Sequence, residues 1–386
     1  MKLRIYLAID SFLPKRDGNV VVVDALARSF KKMGHEVFVI TPNRKNRIDN
    51  LPYEVLYSPS FFGRSNYSLA KLYLSKKINT HILSSELPII VNTHSSYFLS
   101  RAVGKFTNKN HIPSLFTLHT KLVVDFLNFT HSKALTKLLV KKQVQWMKNY
   151  DALSAISKAT YESLIPYGLD MKPHYITNGT NIRLPMKLSL DKEQFKKKYE
   201  LNEDDFLLLH VGHLTWQKGF KVIIETLKLL KDENIAFHFL SLGEGKDEKA
   251  IKKYAKKMGV LDKMSFIGQT DNLIDLAMFY SYSDLFFFPS TFDSFSLAVR
   301  EAAFYKLPTL CIKDSDVAYR MKNDENAFLV KEDAQAFKDK IVEIIKMDKK
   351  DLLKIGDQAK RTLITSWDEI AKSYEKLYIE VIENNK

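Results

Sequence analysis

Two stretches of the sequence combine residue types that can hold an anionic, hydroxyl-rich ligand. The first, Gly212-His213-Leu214-Thr215-Trp216-Gln217-Lys218-Gly219, directly follows an apolar run at 206–211. A glycine at the end of a strand lets the backbone approach a ligand, and Lys218 at the mouth of the next helix can neutralise phosphate. The same letters also fit a plain strand-to-helix turn with a solvated lysine. The second stretch, 289–303, follows the apolar run at 285–288. Asp293 stands before a predicted helix and Glu301 lies two turns inside it. The amides of Phe295, Ser296 and Leu297 are then free N-terminal donors. Amides take phosphate and carboxylates take sugar hydroxyls, which suits a nucleotide sugar. The structural alternative makes Asp293 an N-cap and Glu301 a solvated helix residue. Two histidines, His119 in Leu118-His119-Thr120 and His94 in Asn92-Thr93-His94, also stand just after strand-like runs. Such a position by itself fits a satisfied core histidine at a strand end.

The elements that must position these residues alternate along the chain. Strand-like runs at 3–9, 37–40, 53–57, 89–92, 115–118, 153–156 and 174–177 are separated by helix-length segments such as 20–32, where Val23, Ala25, Leu26 and Phe30 follow a helical spacing. The pattern lapses around 180–205, then restarts with strands at 206–211, 237–242, 264–267, 285–288 and 309–312. Helical segments at 222–230, 246–258, 271–280 and 297–304 separate these. The expectation is an α/β chain of two doubly wound, Rossmann-like domains, 1–185 and 186–365, with parallel sheets covered on both faces. Ligands of such sheets bind outside the carboxyl ends of the strands, so the expected site is the cleft between the domains. A last helix over 366–386 opens with a Ser366/Glu369 capping box and carries the stripe Ile370, Tyr374, Leu377, Tyr378 and Val381.

Composition narrows the classes. The chain has 386 residues and a single cysteine, Cys311, which excludes a disulfide framework and a Cys-rich zinc site. No apolar run approaches the ~20 residues that span a bilayer, and the interrupted N-terminal run reads as a core strand, so a cytoplasmic protein is expected. The net charge of +14 is unevenly spread. Residues 1–185 hold 26 Lys and Arg against 11 Asp and Glu, whereas 186–386 hold 33 against 34. A basic half meets an anionic surface. No nucleic-acid module is recognisable, so nucleic acid is not an expected partner. Nothing sets an oligomeric state.

An ordered set of motifs resembles the retaining glycosyltransferases of family 4. Gly212 to Gly219 is similar to the family's G-R-L-x-x-x-K-G, and Asp293-Ser294-Phe295-Ser296 through Glu301-Ala302 is similar to its E-G-F-G-x-x-x-x-E-A. Gly34-His35-Glu36, Asn178-Gly179, Leu242-Gly243-Glu244-Gly245, Phe266-Ile267-Gly268 and the closing Trp367 to Tyr378 segment also resemble family motifs, in order. The resemblance implies a GT-B fold, with the acceptor on the first domain, the nucleotide-sugar donor on the second, and the last helix crossing back to the first domain. It implies that His119 approaches the reacting sugar, with His94 ranked second, and that Lys218 and the amides near Ser296 stabilise the leaving diphosphate during front-side attack. Asp293 would grip the hexose and Glu301 the ribose. Gly18, in the loop 14–19, would approach the donor, as would Gly212, His213, Glu244, Ile267, Phe295 and Leu297. Two positions depart from the pattern: Asp293 is one methylene shorter than the family's glutamate, and His213 replaces its arginine. No metal and no cofactor are expected, and Asp314-Ser315-Asp316 reads as a turn and helix cap.

For the acceptor, two basic segments carry aromatics. One runs from Phe61 to Lys77, the other from His131 to Tyr150, with Leu135, Leu138, Leu139 and Trp146 beside Lys133, Lys137, Lys141 and Lys142. They read either as membrane-surface elements or as core-packed helices with solvated lysines. The charge of the first domain favours docking on an anionic membrane, at the inner face of the cell membrane. Transfer from UDP-glucose or another UDP-hexose to a lipid such as diacylglycerol is the expectation. Extension of a polyprenyl-linked or free saccharide is the alternative.

Overall fold

Nearly all the apolar runs become parallel strands. The protein was analysed as a computed structural model, which describes residues 1–385 apart from 14–17, 44–46, 48–49, 62–68, 181, 183–184, 186, 271, 292 and 294. Two units result, Met1–Gly179 with Thr365–Lys386, and Thr180–Ile364.

The first unit contains β1 (Arg4–Ala8), β2 (Glu36–Pro42), β3 (Glu54–Ser58), an antiparallel two-stranded sheet of β4 (Ser60–Phe61) and β5 (Leu69–Ala70), then β6 (Ile89–Thr93), β7 (Ser114–Leu118), β8 (Ala152–Ala155) and β9 (Pro173–Tyr175). Its main sheet has the order β3-β2-β1-β6-β7-β8-β9, and every pairing in it is parallel. The order reverses between β1 and β6, where Ala8 pairs with Thr93. The second unit contains β10 (Phe206–Val211), β11 (Phe237–Leu242), β12 (Met264–Gly268), β13 (Leu285–Phe288), β14 (Thr309–Ile312) and β15 (Phe328–Val330). Its order, β12-β11-β10-β13-β14-β15, reverses between β10 and β13. Helices cover both faces of each sheet, so strands such as β13, Leu-Phe-Phe-Phe, are buried throughout.

The Trp367–Asn384 helix belongs to the first unit. Its capping box is formed, and Trp367, Ile370, Tyr374, Leu377, Tyr378 and Val381 are buried in one cluster with Val23, Leu26 and Phe30 of the Gly18–Lys32 helix. Polar contacts fix the register: Asn92 Nδ2 donates to Tyr378 Oη at 2.8 Å, and Ser29 Oγ donates to Asp368 at 2.9 Å. Gly179 sits so close to Trp367 that a Cβ there would lie 2.9 Å from the Trp367 backbone nitrogen. The first unit therefore runs to Gly179, where the sequence pattern lapses more gradually and suggested 185.

The segment from Phe61 to Lys77 is not one helix. Its described residues comprise the end of β4, the strand β5 and the start of a helix at Lys76. Lys71 Nζ lies over the Phe61 ring at 5.2 Å. The Lys133–Met147 helix buries Val140, Val144 and Met147, yet leaves Leu135 and Leu138 about half exposed. Its inner face is packed in the core, as the second reading of its sequence expects. Trp146 lies under the Arg101 guanidinium, 5.1 Å away.

Candidate active site

The turn after β10 is shaped by glycines that seat against neighbouring backbone. A Cβ on Gly243 would lie 2.1 Å from the Gly212 carbonyl oxygen, and one on Gly219 would lie 2.1 Å from that of Pro289. These approaches pack the turn against the ends of β11 and β13. Lys218 closes the 3-10 turn Trp216–Lys218, and its Nζ donates to both carboxylate oxygens of Asp293, at 2.6 and 2.7 Å. The Ser290 hydroxyl adds a bond to Asp293 Oδ2 at 2.6 Å. Both charged side chains are mostly buried, at 15% and 16% exposure. Asp293 is therefore not the N-cap of the next helix.

That cap is Ser296, at φ +47 and ψ 108, and it makes no side-chain capping bond. Such a backbone favours glycine, the residue that stands there in the resembling motif. It opens the Leu297–Phe304 helix, whose first residue is exposed and whose first amides lack intrahelical partners. Glu301 lies further along this helix. Tyr280 Oη donates to Glu301 Oε2 at 2.8 Å. Burial raises the Glu301 carboxyl above its ordinary range, and the Tyr280 bond pulls it back.

His213 is exposed, with Nδ1 3.4 Å from the Glu244 carbonyl oxygen. Glu244 is exposed and Ile267 partly buried. Beneath Gly212, His210 is fully buried between Phe220 and Phe288, and neither ring nitrogen has a partner among the described residues. Burial pushes it down to about 3, helped by Lys218 and opposed by Asp293. His210 was not singled out in the sequence. Its position within a strand gave no signal.

In the first unit, His94 and His119 follow the adjacent strands β6 and β7. His94 Nδ1 lies 2.9 Å from His119 Nε2, with the rings stacked 5.2 Å apart. Both are buried, and the outer nitrogens, His94 Nε2 and His119 Nδ1, have no partner among the described residues. A single proton bridges the pair, so one outer nitrogen is a donor and the other an acceptor. Burial lowers His119 to about 4 and also holds His94 well below its ordinary value, with His119 contributing. Asp10, just beyond β1, organises the neighbouring loop by accepting from Ser95 Oγ at 2.6 Å and from the Leu99 amide at 3.0 Å. An acid directly after the first strand was the available signal for it. Gly18 begins the Gly18–Lys32 helix, with open space where a Cβ would stand. Residues 14–17 of its loop lie outside the described residues.

Among the described residues no cluster of three His, Cys, Asp or Glu could hold a metal ion. Asp314, at φ +63, and Asp316 flank the start of a 3-10 turn.

Tandem parallel sheets with these turns at their switch points define a GT-B glycosyltransferase. Residues 16–184 match the family described as Glycosyltransferase Family 4, and residues 191–362 match Glycosyl transferases group 1. The chain belongs to glycosyltransferase family 4. It is 24% identical to the alpha-monoglucosyldiacylglycerol synthase of Acholeplasma laidlawii, over 99% of this chain and 98% of that protein. It is 22% identical to the N-acetyl-alpha-D-glucosaminyl L-malate synthase of Bacillus anthracis, over 100% and 99%. Among solved structures, Anabaena HepE in complex with UDP superposes with a TM-score of 0.73 at 15% identity, covering 98% of this chain and all of that one.

Proposed function

We propose that this glycosyltransferase is a retaining hexosyltransferase. It moves a hexose, glucose first, from a UDP-sugar to a membrane lipid hydroxyl such as that of diacylglycerol. The carrying observation is the grouping of Lys218, Asp293, the open N-terminus of the Leu297–Phe304 helix and Glu301 at the β10/β13 switch point. Amides and ammonium suit a diphosphate, and a carboxylate suits ribose hydroxyls. In the reaction, Lys218 and the helix amides stabilise charge as the nucleoside diphosphate leaves, a contribution on the order of 3 kcal/mol per donor. Glu301 holds the ribose, and Asp293 reaches the hexose once phosphate takes its place on Lys218. Glu244, Ile267, His213 and Gly212 line the donor's other side, and His119 meets the transferred sugar. The chemistry needs no metal and no cofactor.

The lipid acceptor is supported by the full-length likeness to a glucosyldiacylglycerol synthase and by the surface of the first unit. Residues 126–150 contain five lysines and no acid, and Phe129 is 80% exposed, with Leu127, Leu135 and Leu138 also exposed. An anionic membrane fits that surface, and this supports the reading of a peripheral enzyme at the cytoplasmic face. No helix among the described residues is long and apolar enough to cross a membrane. A second reading, extension of a polyprenyl-linked or free saccharide, is favoured by likenesses to the CapM capsule glycosyltransferase of Staphylococcus aureus and to a diphosphoundecaprenol galactosyltransferase of Escherichia coli.

A screen of UDP- and GDP-sugars against diacylglycerol, against polyprenyl-linked and free saccharides, and without acceptor tests the proposal. Transfer from UDP-glucose to diacylglycerol is expected. Turnover only with a saccharide acceptor establishes the second reading instead.

A further inference from the structure

Arg300 precedes Glu301 on the Leu297–Phe304 helix and is 4% exposed. The helix residues buried with it, Val299, Ala302 and Ala303, are apolar. Its Nε and Nη1 have no hydrogen-bond partner among the described residues. Among the described residues, the charged or titratable groups that act on it are Arg320 and Cys311. Burial and the repulsion of Arg320 lower the guanidinium to about 10, against a smaller opposing effect of the Cys311 thiol, so it remains charged at neutral pH. What it does touch is Phe295, whose ring centre lies 4.6 Å from the guanidinium carbon. Phe295 stands just outside the helix N-terminus, so this contact puts the guanidinium on the N-terminal side of its own turn.

A buried charge without a counter-charge is heavily penalised unless something anionic completes the site. The same helix end offers unpaired amides and the positive pole of the helix. Two independent features therefore ask for an anion at one place. The turn after β10 adds a reason, because His213 stands where the resembling motif has arginine and Lys218 is already held by Asp293.

We infer that Arg300 binds an oxyanion at the N-terminus of the Leu297–Phe304 helix, the diphosphate of the nucleotide-sugar donor, with Phe295 holding its guanidinium in place. This rests on the donor reading above. The fork of the guanidinium suits phosphate oxygens in a way that a lysine does not.

The test compares UDP and inorganic pyrophosphate binding by calorimetry, with thermal melting of the ligand-free protein. The parent should bind both. Arg300→Met should melt at a higher temperature than the parent without ligand, since an apolar chain of similar length replaces an unpaired charge. It should bind UDP and pyrophosphate at least tenfold more weakly. A structural role gives the reverse pattern, a lower melting temperature with UDP affinity within twofold of the parent, and overturns the inference. Arg300→Lys guards against a variant that fails to fold: it should melt near the parent and bind UDP severalfold more weakly, and parental affinity in it also overturns the inference. If the parent itself binds neither UDP nor pyrophosphate, the donor reading falls, and this inference with it.

Discussion

The Lys218 ammonium lies 2.6 and 2.7 Å from the two carboxylate oxygens of Asp293. The two residues assigned to the phosphate and to the hexose thus satisfy each other in the ligand-free protein. Donor binding has to exchange this pair for phosphate and sugar contacts. Because both side chains are mostly buried, the pair is less screened than a surface ion pair. Asp293→Asn should therefore bind UDP severalfold more tightly than the parent while losing most sugar transfer. Calorimetry with UDP checks this, and weaker UDP binding would instead make Asp293 the residue that positions Lys218. Lys218→Ala should lower turnover, and unchanged turnover moves the phosphate role to His213 or the backbone amides.

Glu301 depends on Tyr280. A hydrogen bond to a charged group is worth about 1.5–3 kcal/mol, so Tyr280→Phe should raise KM for the donor roughly tenfold with little change in kcat. Glu301→Ala should abolish measurable donor binding. Normal UDP affinity in that variant would falsify the ribose assignment.

Ser296 occupies a backbone region that costs a non-glycine residue roughly 1 kcal/mol or more. Ser296→Gly should raise the melting temperature by about 2–4 °C and keep activity, because the amides stay in place. A lower melting temperature with lost activity means that the hydroxyl itself is needed.

Acid should destabilise the protein through its buried histidines. His119, at about 4, and His210, at about 3, are held below the ordinary 6.5 by burial, and His94 shifts the same way. The unfolded chain takes up these protons and the native one resists them. Stability is then full above the ordinary value and is lost as pH falls below about 6.5 toward the native values, at about 1.4 kcal/mol for each unit of difference. The melting temperature should drop between pH 7 and pH 5, and drop less for His210→Phe. Parallel curves for parent and variant exclude His210 from this effect.

Membrane docking should depend on the surface between Leu127 and Lys142. Replacing Lys133, Lys137, Lys141 and Lys142 by Gln should release the protein from phosphatidylglycerol vesicles, since each lysine near the surface contributes about 1 kcal/mol. Raised salt should do the same to the parent. Phe129→Ser should weaken flotation, and donor hydrolysis should survive in both variants. Unchanged flotation of the quadruple variant shifts the docking surface to the segment from Phe61 to Lys77. A parent that never floats removes the lipid acceptor.

The sequence by itself determined the alternation of strands and helices, the two parallel sheets, and which turns carry Lys218, Asp293, Glu301, His94 and His119. It did so because strands buried on both faces are short continuous apolar runs, and because sites of such sheets lie directly after them. It did not reveal β15, a three-residue strand with no periodicity to read, nor the short β4 and β5 strands, where aromatic and basic residues fit either helix or strand. Tertiary structure alone decided the pairing of Lys218 with Asp293 across 75 positions, which depends on Gly219 seating against the Pro289 carbonyl. It also decided the bridged His94–His119 pair, the unit boundary at Gly179, set by contact with Trp367, and the burial of Arg300. Each is a contact between residues distant in the chain, and local spacing encodes only the residues that share a turn, a helix face or a strand.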